Sequence, residues 1–271
     1  MAGYELWELG AIAGVFLLAG VVKGGIGLGL PTVSVAFMAI WLPVEQAAGI
    51  LILPVILTNI WQSFFGSALR LVLCRLWPMM IALVLGTVMA AALIGEADTA
   101  LAAGLLGGML IVFAALGLTG LKFDVPVRSE GVMNPVIGLS TGLITGATAI
   151  FVIPSVPYLQ SMAFKMGQRG DGDDPSDPTR ARNESHAKDA LIQSLGLTAL
   201  VATMGLALGL GVKGNLPVTT MVPGIAGTLA AFVGMTLGTA IRNKLSIEVF
   251  KRWVLVGLLF LGVAMVVRAL A

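Results

Sequence analysis

Long apolar runs separated by short polar stretches set the pattern of this chain. Six runs, at 45–66, 77–94, 99–119, 189–210, 217–241 and 249–270, each have the length of a single bilayer-crossing helix, which takes roughly 20 apolar residues. Two others, 10–43 and 132–164, exceed 30 residues, are nearly free of charge and are interrupted near the middle by Gly or Pro. The first interruption reads Gly20-Val21-Val22-Lys23-Gly24-Gly25-Ile26-Gly27-Leu28-Gly29-Leu30-Pro31, and the second runs from Gly142 to Pro154. Each run is too long for one helix and short for two, so each predicts a helical hairpin whose two short arms meet at a Gly-rich break. Backbone that leaves the helix at that depth persists only where protein or a water-filled cavity satisfies its polar groups. The pattern predicts an all-α polytopic membrane protein.

Positive charge orients it. If each hairpin returns to its starting side, thirteen of the sixteen Lys and Arg fall on one side, Lys213 and Arg268 on the other, and Lys23 inside the membrane. Cytoplasmic loops carry the excess of Lys and Arg. Both termini are therefore expected outside the cytoplasm, and the polar stretch 165–188 is expected as a mobile cytoplasmic loop. The Asp-rich part of that loop lacks the ligand spacing and terminal Glu of a calcium-binding loop. A hairpin followed by three spans occurs twice, dividing the chain into repeats at 1–131 and 132–271. Gly20 to Gly24 matches Gly142 to Gly146, Pro31 matches Pro154 after one insertion, and Gly86 pairs with Gly234. The charge sorting makes the two repeats inverted, a pattern of secondary transporters whose site lies near the midplane between the halves.

Composition sharpens the class. The chain of 271 residues is 58% hydrophobic and only 11% charged, with 35 Gly; soluble domains carry about 25% charged residues. A net charge of +2 without a basic-aromatic stretch predicts no nucleic-acid partner. Cys74 is the single cysteine, so neither a disulfide framework nor a thiolate metal cluster is expected. The N-terminus begins with Tyr4, Glu5, Trp7 and Glu8 instead of a basic region, which predicts no cleaved signal peptide. There is no phosphate-binding loop motif, and no Asp, Glu or His lies deep in a predicted span. The chain thus lacks the ligands and acid–base groups of an intramembrane protease, an ATP-driven motor or a carboxylate proton relay. No cofactor is expected; the lipid bilayer and a small anion are the expected partners.

Lys23 is the only ionisable residue deep in a predicted span. A charge at the bilayer centre costs at least roughly 3 kcal/mol, which makes it a functional candidate. The competing reading is a side chain that reaches back to the interface. With backbone N–H groups near Gly24, Gly25 and Gly27 and the start of a short helix arm, Lys23 forms a candidate anion site. Thr145 and Thr148, with Thr141 a turn earlier, are candidate donors from the second hairpin; interhelical packing explains such residues equally well. Asn59, Gln62 and Ser63 in one span and Gln193 and Ser194 in another either line a path or lock helices together. Trp61 is a candidate gate or interfacial anchor. The small-residue pairs Gly104/Gly108, Gly205/Gly209 and Gly234/Gly238 serve contacts within the chain or in a homo-oligomer equally well.

The segment from Gly14 to Pro31 resembles the TauE/SafE sulfite exporter family, as does its weaker echo from Gly138 to Pro154. The family pattern falls on Gly20, Gly24, Gly25, Gly27, Gly29 and Pro31. The resemblance covers nearly the whole chain and implies export of small sulfur-containing anions such as sulfite or organosulfonates across the plasma membrane. The second half departs from the pattern, with Thr and Ala where the first has Gly and no counterpart of Lys23, so the resemblance implies a site dominated by the first hairpin. An anion channel or uniporter on the same scaffold is the alternative.

Overall fold

The computed structural model describes residues 4–64, 67–94, 99–120, 129–167, 178–212, 220–242 and 247–270. Among these residues there is no strand. Ten helices follow one another: α1 (Leu6–Ile26), α2 (Leu30–Met38), α3 (Val44–Phe64), α4 (Leu69–Ile94), α5 (Thr99–Thr119), α6 (Glu130–Thr148), α7 (Ser155–Gly167), α8 (Pro178–Val212), α9 (Met221–Arg242) and α10 (Ile247–Leu270). Seven of them, α1, α3, α4, α5, α8, α9 and α10, are long and apolar enough to cross a bilayer. The exposed side chains include Leu85, Met89, Leu229 and Phe260, while Phe16, Met38, Leu51 and Leu110 are buried. An apolar rim around an apolar core suits a protein solvated by lipid.

Both predicted hairpins are present, with one correction. Only the return arms are short: α1 has 21 residues and α2 nine, while α6 has 19 and α7 has 13. Gly20, Gly24 and Gly25, expected in the first break, continue α1. The chain leaves the helix at Gly27 (φ 85°) and Gly29 (φ 102°), both left-handed, a conformation that costs glycine nothing. The second break opens the same way at Ala149 (φ 58°). In the first break the Gly27 N–H closes on the Lys23 carbonyl, and in the second the Ala149 N–H closes on the Thr145 carbonyl, each at 2.7 Å. Lys23 and Thr145 thus hold matching positions.

Glycine stays helical here because a neighbouring backbone occupies the place of its side chain. A Cβ on Gly20 or Gly24 would lie 2.4 or 2.2 Å from the carbonyl oxygens of Ala231 and Met235 on α9. On α6, Gly142 and Gly146 meet the carbonyls of Leu83 and Thr87 on α4 at 2.2 and 2.3 Å in the same sense. The reverse contacts match as well: Gly234 against the Leu17 carbonyl at 2.2 Å, and Gly86 against the Leu139 carbonyl at 2.6 Å. The α1–α9 and α6–α4 seams are therefore counterparts, and in each the residue numbers rise together. Gly205 and Gly209 pack on α4, so two of the three small-residue pairs, this one and Gly234/Gly238, serve contacts within the chain. Helices α5 and α10 run antiparallel, Gly104 beside Ala269 and Gly117 beside Leu255.

Two further boundaries move. Helix α4 starts at Leu69 instead of 77, taking Arg70 and Arg75 into the helix. The polar stretch expected as a loop at 165–188 is helical at both ends, since α7 continues to Gly167 and α8 begins at Pro178. Pro at the first helical position favours that start. The Asp-rich segment lies outside the described residues, as do Lys122, Arg128, Lys213, Lys244 and the side chain of Trp61.

A polar cluster joins α4, α6 and α7 at one end of the second hairpin. Arg75 donates to both carboxylate oxygens of Glu130, with Nε to Oε2 at 2.8 Å. Asn134 donates to the Arg75 carbonyl at 2.8 Å and accepts from the Tyr158 hydroxyl at 2.6 Å. Charge pairs near a surface contribute about 1 kcal/mol at most. A double-mutant cycle of Arg75→Gln and Glu130→Gln, read by thermal unfolding in detergent, is expected to return a coupling of about that size; strictly additive effects would refute it.

Candidate functional site

The structure settles where the Lys23 side chain goes. It lies in the last turns of α1, 5% exposed, and crosses to α3 instead of reaching for the surface. Its ammonium donates to Asn59 Oδ1 at 2.8 Å and to Thr58 Oγ1 at 3.1 Å. The depth follows from α3. Gln46 near the start of that helix bonds Tyr4 at the start of α1, and from Gln46 to Asn59 an α-helix rises roughly 20 Å. In a hydrocarbon layer roughly 30 Å thick, that puts the ammonium well inside.

Both acceptors are held in place by their own helix. Thr58 Oγ1 donates to the Pro54 carbonyl at 2.8 Å, and Asn59 Nδ2 donates to the Val55 carbonyl at 2.8 Å. With the Thr58 hydroxyl proton and one Asn59 amide N–H given to α3, Thr58 turns a lone pair and Asn59 its amide oxygen toward Lys23. Both partners are neutral, so they orient the ammonium without cancelling its charge. Two of its three N–H donors are used, and the third has no acceptor among the described residues. Thr58 did not stand out in the sequence; its place directly before Asn59 in an apolar span was the available signal.

The other candidate residues separate into groups. Gly24 and Gly25 are helical, so their N–H groups belong to the α1 ladder and their bare faces to the packing seam; Gly25 lies under Phe250. The Gly27 N–H is taken by Lys23 O. None of these three N–H groups is open to an anion, which corrects that part of the expectation. On the second hairpin, Thr145 and Thr148 are buried but bond locally, to the carbonyls of Thr141 and Ile144 at 2.7 Å each. Thr148 Oγ1 also accepts the Ile150 N–H at 3.2 Å.

The two glutamines tie α3 and the turn after it to α8. Gln193 accepts from the Ala68 N–H at 2.7 Å and donates to the Ser63 carbonyl at 3.1 Å. Gln62 donates to the Ile192 carbonyl at 3.1 Å, and Ser67 donates to Asp189 at 2.9 Å. Ser194 bonds the Leu191 carbonyl within α8. These contacts run antiparallel, Gln62 facing Ile192 while Ser67 faces Asp189. They lock two helices together, the second of the two readings open for these residues.

No group of three or more His, Cys, Asp or Glu among the described residues is placed to hold a metal ion. Neither the curated proteins nor the solved structures offer a match to the chain. The profile of one family, described as Sulfite exporter TauE/SafE, matches residues 12–169. That match runs from α1 through both hairpin breaks and the Lys23, Thr58 and Asn59 cluster to the far side of α7, more than half of the chain, and the protein belongs to the TauE/SafE sulfite exporter family.

Proposed function

We propose that this protein is a secondary transporter that exports a small sulfur-containing anion, an organosulfonate or sulfite, across the plasma membrane by alternating access. The observation that carries the reading is Lys23, a buried lysine deep in the membrane that is oriented by two neutral acceptors and has a donor to spare. Such a group costs free energy in the empty protein, and an anion that brings the missing charge recovers it. The Lys23 ammonium binds the anion, and Thr58 and Asn59 position the ammonium.

The halves α1–α5 and α6–α10 act as inverted repeats. Two features support this: the matching seams α1–α9 and α6–α4, and the antiparallel course of the counterparts α3 with α8 and α5 with α10. Related halves of opposite orientation exchange conformations at similar energy, which gives inward-open and outward-open states. The excess of Lys and Arg in one set of loops puts both termini outside the cytoplasm. Export then needs no coupling ion, because an inside-negative potential favours anion efflux by about 2.3 kcal/mol per charge per 100 mV.

The test is flux through purified protein in liposomes. Saturable methanesulfonate efflux, accelerated by the same anion on the opposite side, is the expected result. An ohmic current without counterflow would mean a channel, and no flux of sulfonate or sulfite above empty liposomes would end the proposal.

A further inference from the structure

The N-terminus of α2, at the first hairpin break, locates a second half for the anion site. Both breaks bond part of their backbone in similar ways. In the second, Thr148 Oγ1 takes the Ile150 N–H, Ser155 Oγ donates to the Phe151 carbonyl at 2.5 Å, and the Val156 N–H closes on the Val152 carbonyl at 3.0 Å. In the first, Ser34 Oγ donates to the Leu30 carbonyl at 2.5 Å. The first bond of α2 runs from the Val33 N–H to the Gly29 carbonyl at 2.8 Å, and among the described residues nothing accepts the N–H of Leu30 or Thr32. Leu30 and Thr32 are both 0% exposed, and buried backbone donors are rarely left unpaired.

Thr32 adds an independent sign. Its hydroxyl is buried and without a partner, whereas Thr58, Thr87, Thr145, Thr148, Thr203 and Thr228 each bond the carbonyl four residues back. It sits in the first turn of α2, where side chains lean toward the helix N-terminus. The hydroxyl is therefore presented at the end where the free N–H groups open and the helix dipole is positive. Thr141 and Thr198 also have unpaired hydroxyls, but inside helices, with no free N–H beside them. A Cβ on Gly29 would stand 3.2 Å from Val22 Cγ1, which keeps this end of α2 against the part of α1 that carries Lys23.

We infer that the N-terminus of α2, through the Thr32 hydroxyl and the N–H groups of Leu30 and Thr32, is an oxyanion-binding subsite that holds the sulfonate or sulfite oxygens while Lys23 supplies the charge. The inference rests on the anion-export reading and assigns its site to one hairpin. Hydrogen bonds to a charged group contribute about 1.5–3 kcal/mol, so loss of the hydroxyl weakens binding roughly ten- to hundredfold.

The experiment is calorimetric titration of methanesulfonate into the purified full-length protein, with dimethyl sulfone as the neutral control. Thr32→Val keeps the shape and removes the hydroxyl, Thr32→Ser keeps the hydroxyl, and Thr32→Ala gives the same readout should valine not be accommodated. The expected result is at least a tenfold weaker Kd for Thr32→Val, near wild-type binding for Thr32→Ser, and no binding of the sulfone by any of them. Wild-type affinity in both Thr32→Val and Thr32→Ala would overturn the subsite and leave the export reading standing. Failure of the wild-type protein itself to bind methanesulfonate, bisulfite or sulfate would overturn both.

Discussion

Lys23→Gln is expected to abolish saturable anion efflux while leaving the protein folded. Glutamine is nearly as long as lysine and can still donate to Asn59 Oδ1, so the α1–α3 contact made by the ammonium at 2.8 Å survives in outline. What disappears is the charge. Removing one member of a buried, hydrogen-bonded charge pair costs about 2–5 kcal/mol, equivalent to a loss of roughly 30- to several-thousandfold in kcat/KM. In the protein without substrate the sign reverses, because a charge no longer has to be kept in the membrane interior. The purified variant should therefore melt no lower than wild type. Efflux from proteoliposomes and thermal unfolding read the two effects separately. Wild-type efflux by Lys23→Gln would remove Lys23 from the centre of the mechanism, and a fall in both melting temperature and efflux would mean that Lys23 only holds α1 against α3.

The spans were legible because a bilayer-crossing helix announces itself by length and lack of charge. The hairpins were legible because two runs were too long for one such helix. The position of the first break was not. Gly20 and Gly24 look locally like the glycines of a break, and only the carbonyls of Ala231 and Met235, more than two hundred residues away in sequence, show that they are places where backbones touch. Ala149 gave no sign of its left-handed conformation, since alanine rarely adopts it. Moving the break changed the site. Once Gly24 and Gly25 are helical their N–H groups are spent, and the free donors shift to Leu30 and Thr32. Thr32 was invisible beforehand because a helical threonine normally bonds the preceding turn, and its failure to do so depends on where α2 begins. Lys23 was legible from its charge alone; its orientation by Thr58 and Asn59 required the α1–α3 packing.

The second large effect lies in the seams. Gly142→Ala is expected to destabilise the protein strongly. The added Cβ would lie 2.2 Å from the Leu83 carbonyl oxygen, 2.8 Å from the Thr87 nitrogen and 3.0 Å from the Gly86 Cα. All three are backbone atoms, so no side chain can swing aside and α6 must move away from α4. Overpacking of this kind costs about 1–3 kcal/mol, and in a protein held together in lipid by close helix contacts the damage spreads along the seam. Gly24→Ala, 2.2 Å from the Met235 carbonyl in the counterpart seam, should behave alike. The contrast is with Gly14, where an added Cβ meets nothing within 4 Å; Gly14→Ala is expected to be neutral or slightly stabilising, because alanine is the better helix former. Melting temperatures of the three variants in one detergent decide the matter. A drop of several degrees for Gly142→Ala and Gly24→Ala, with none for Gly14→Ala, is the expected order. If all three melted together, the helices would not be packed backbone to backbone, and the α1–α9 and α6–α4 seams would no longer support treating the two halves as counterparts.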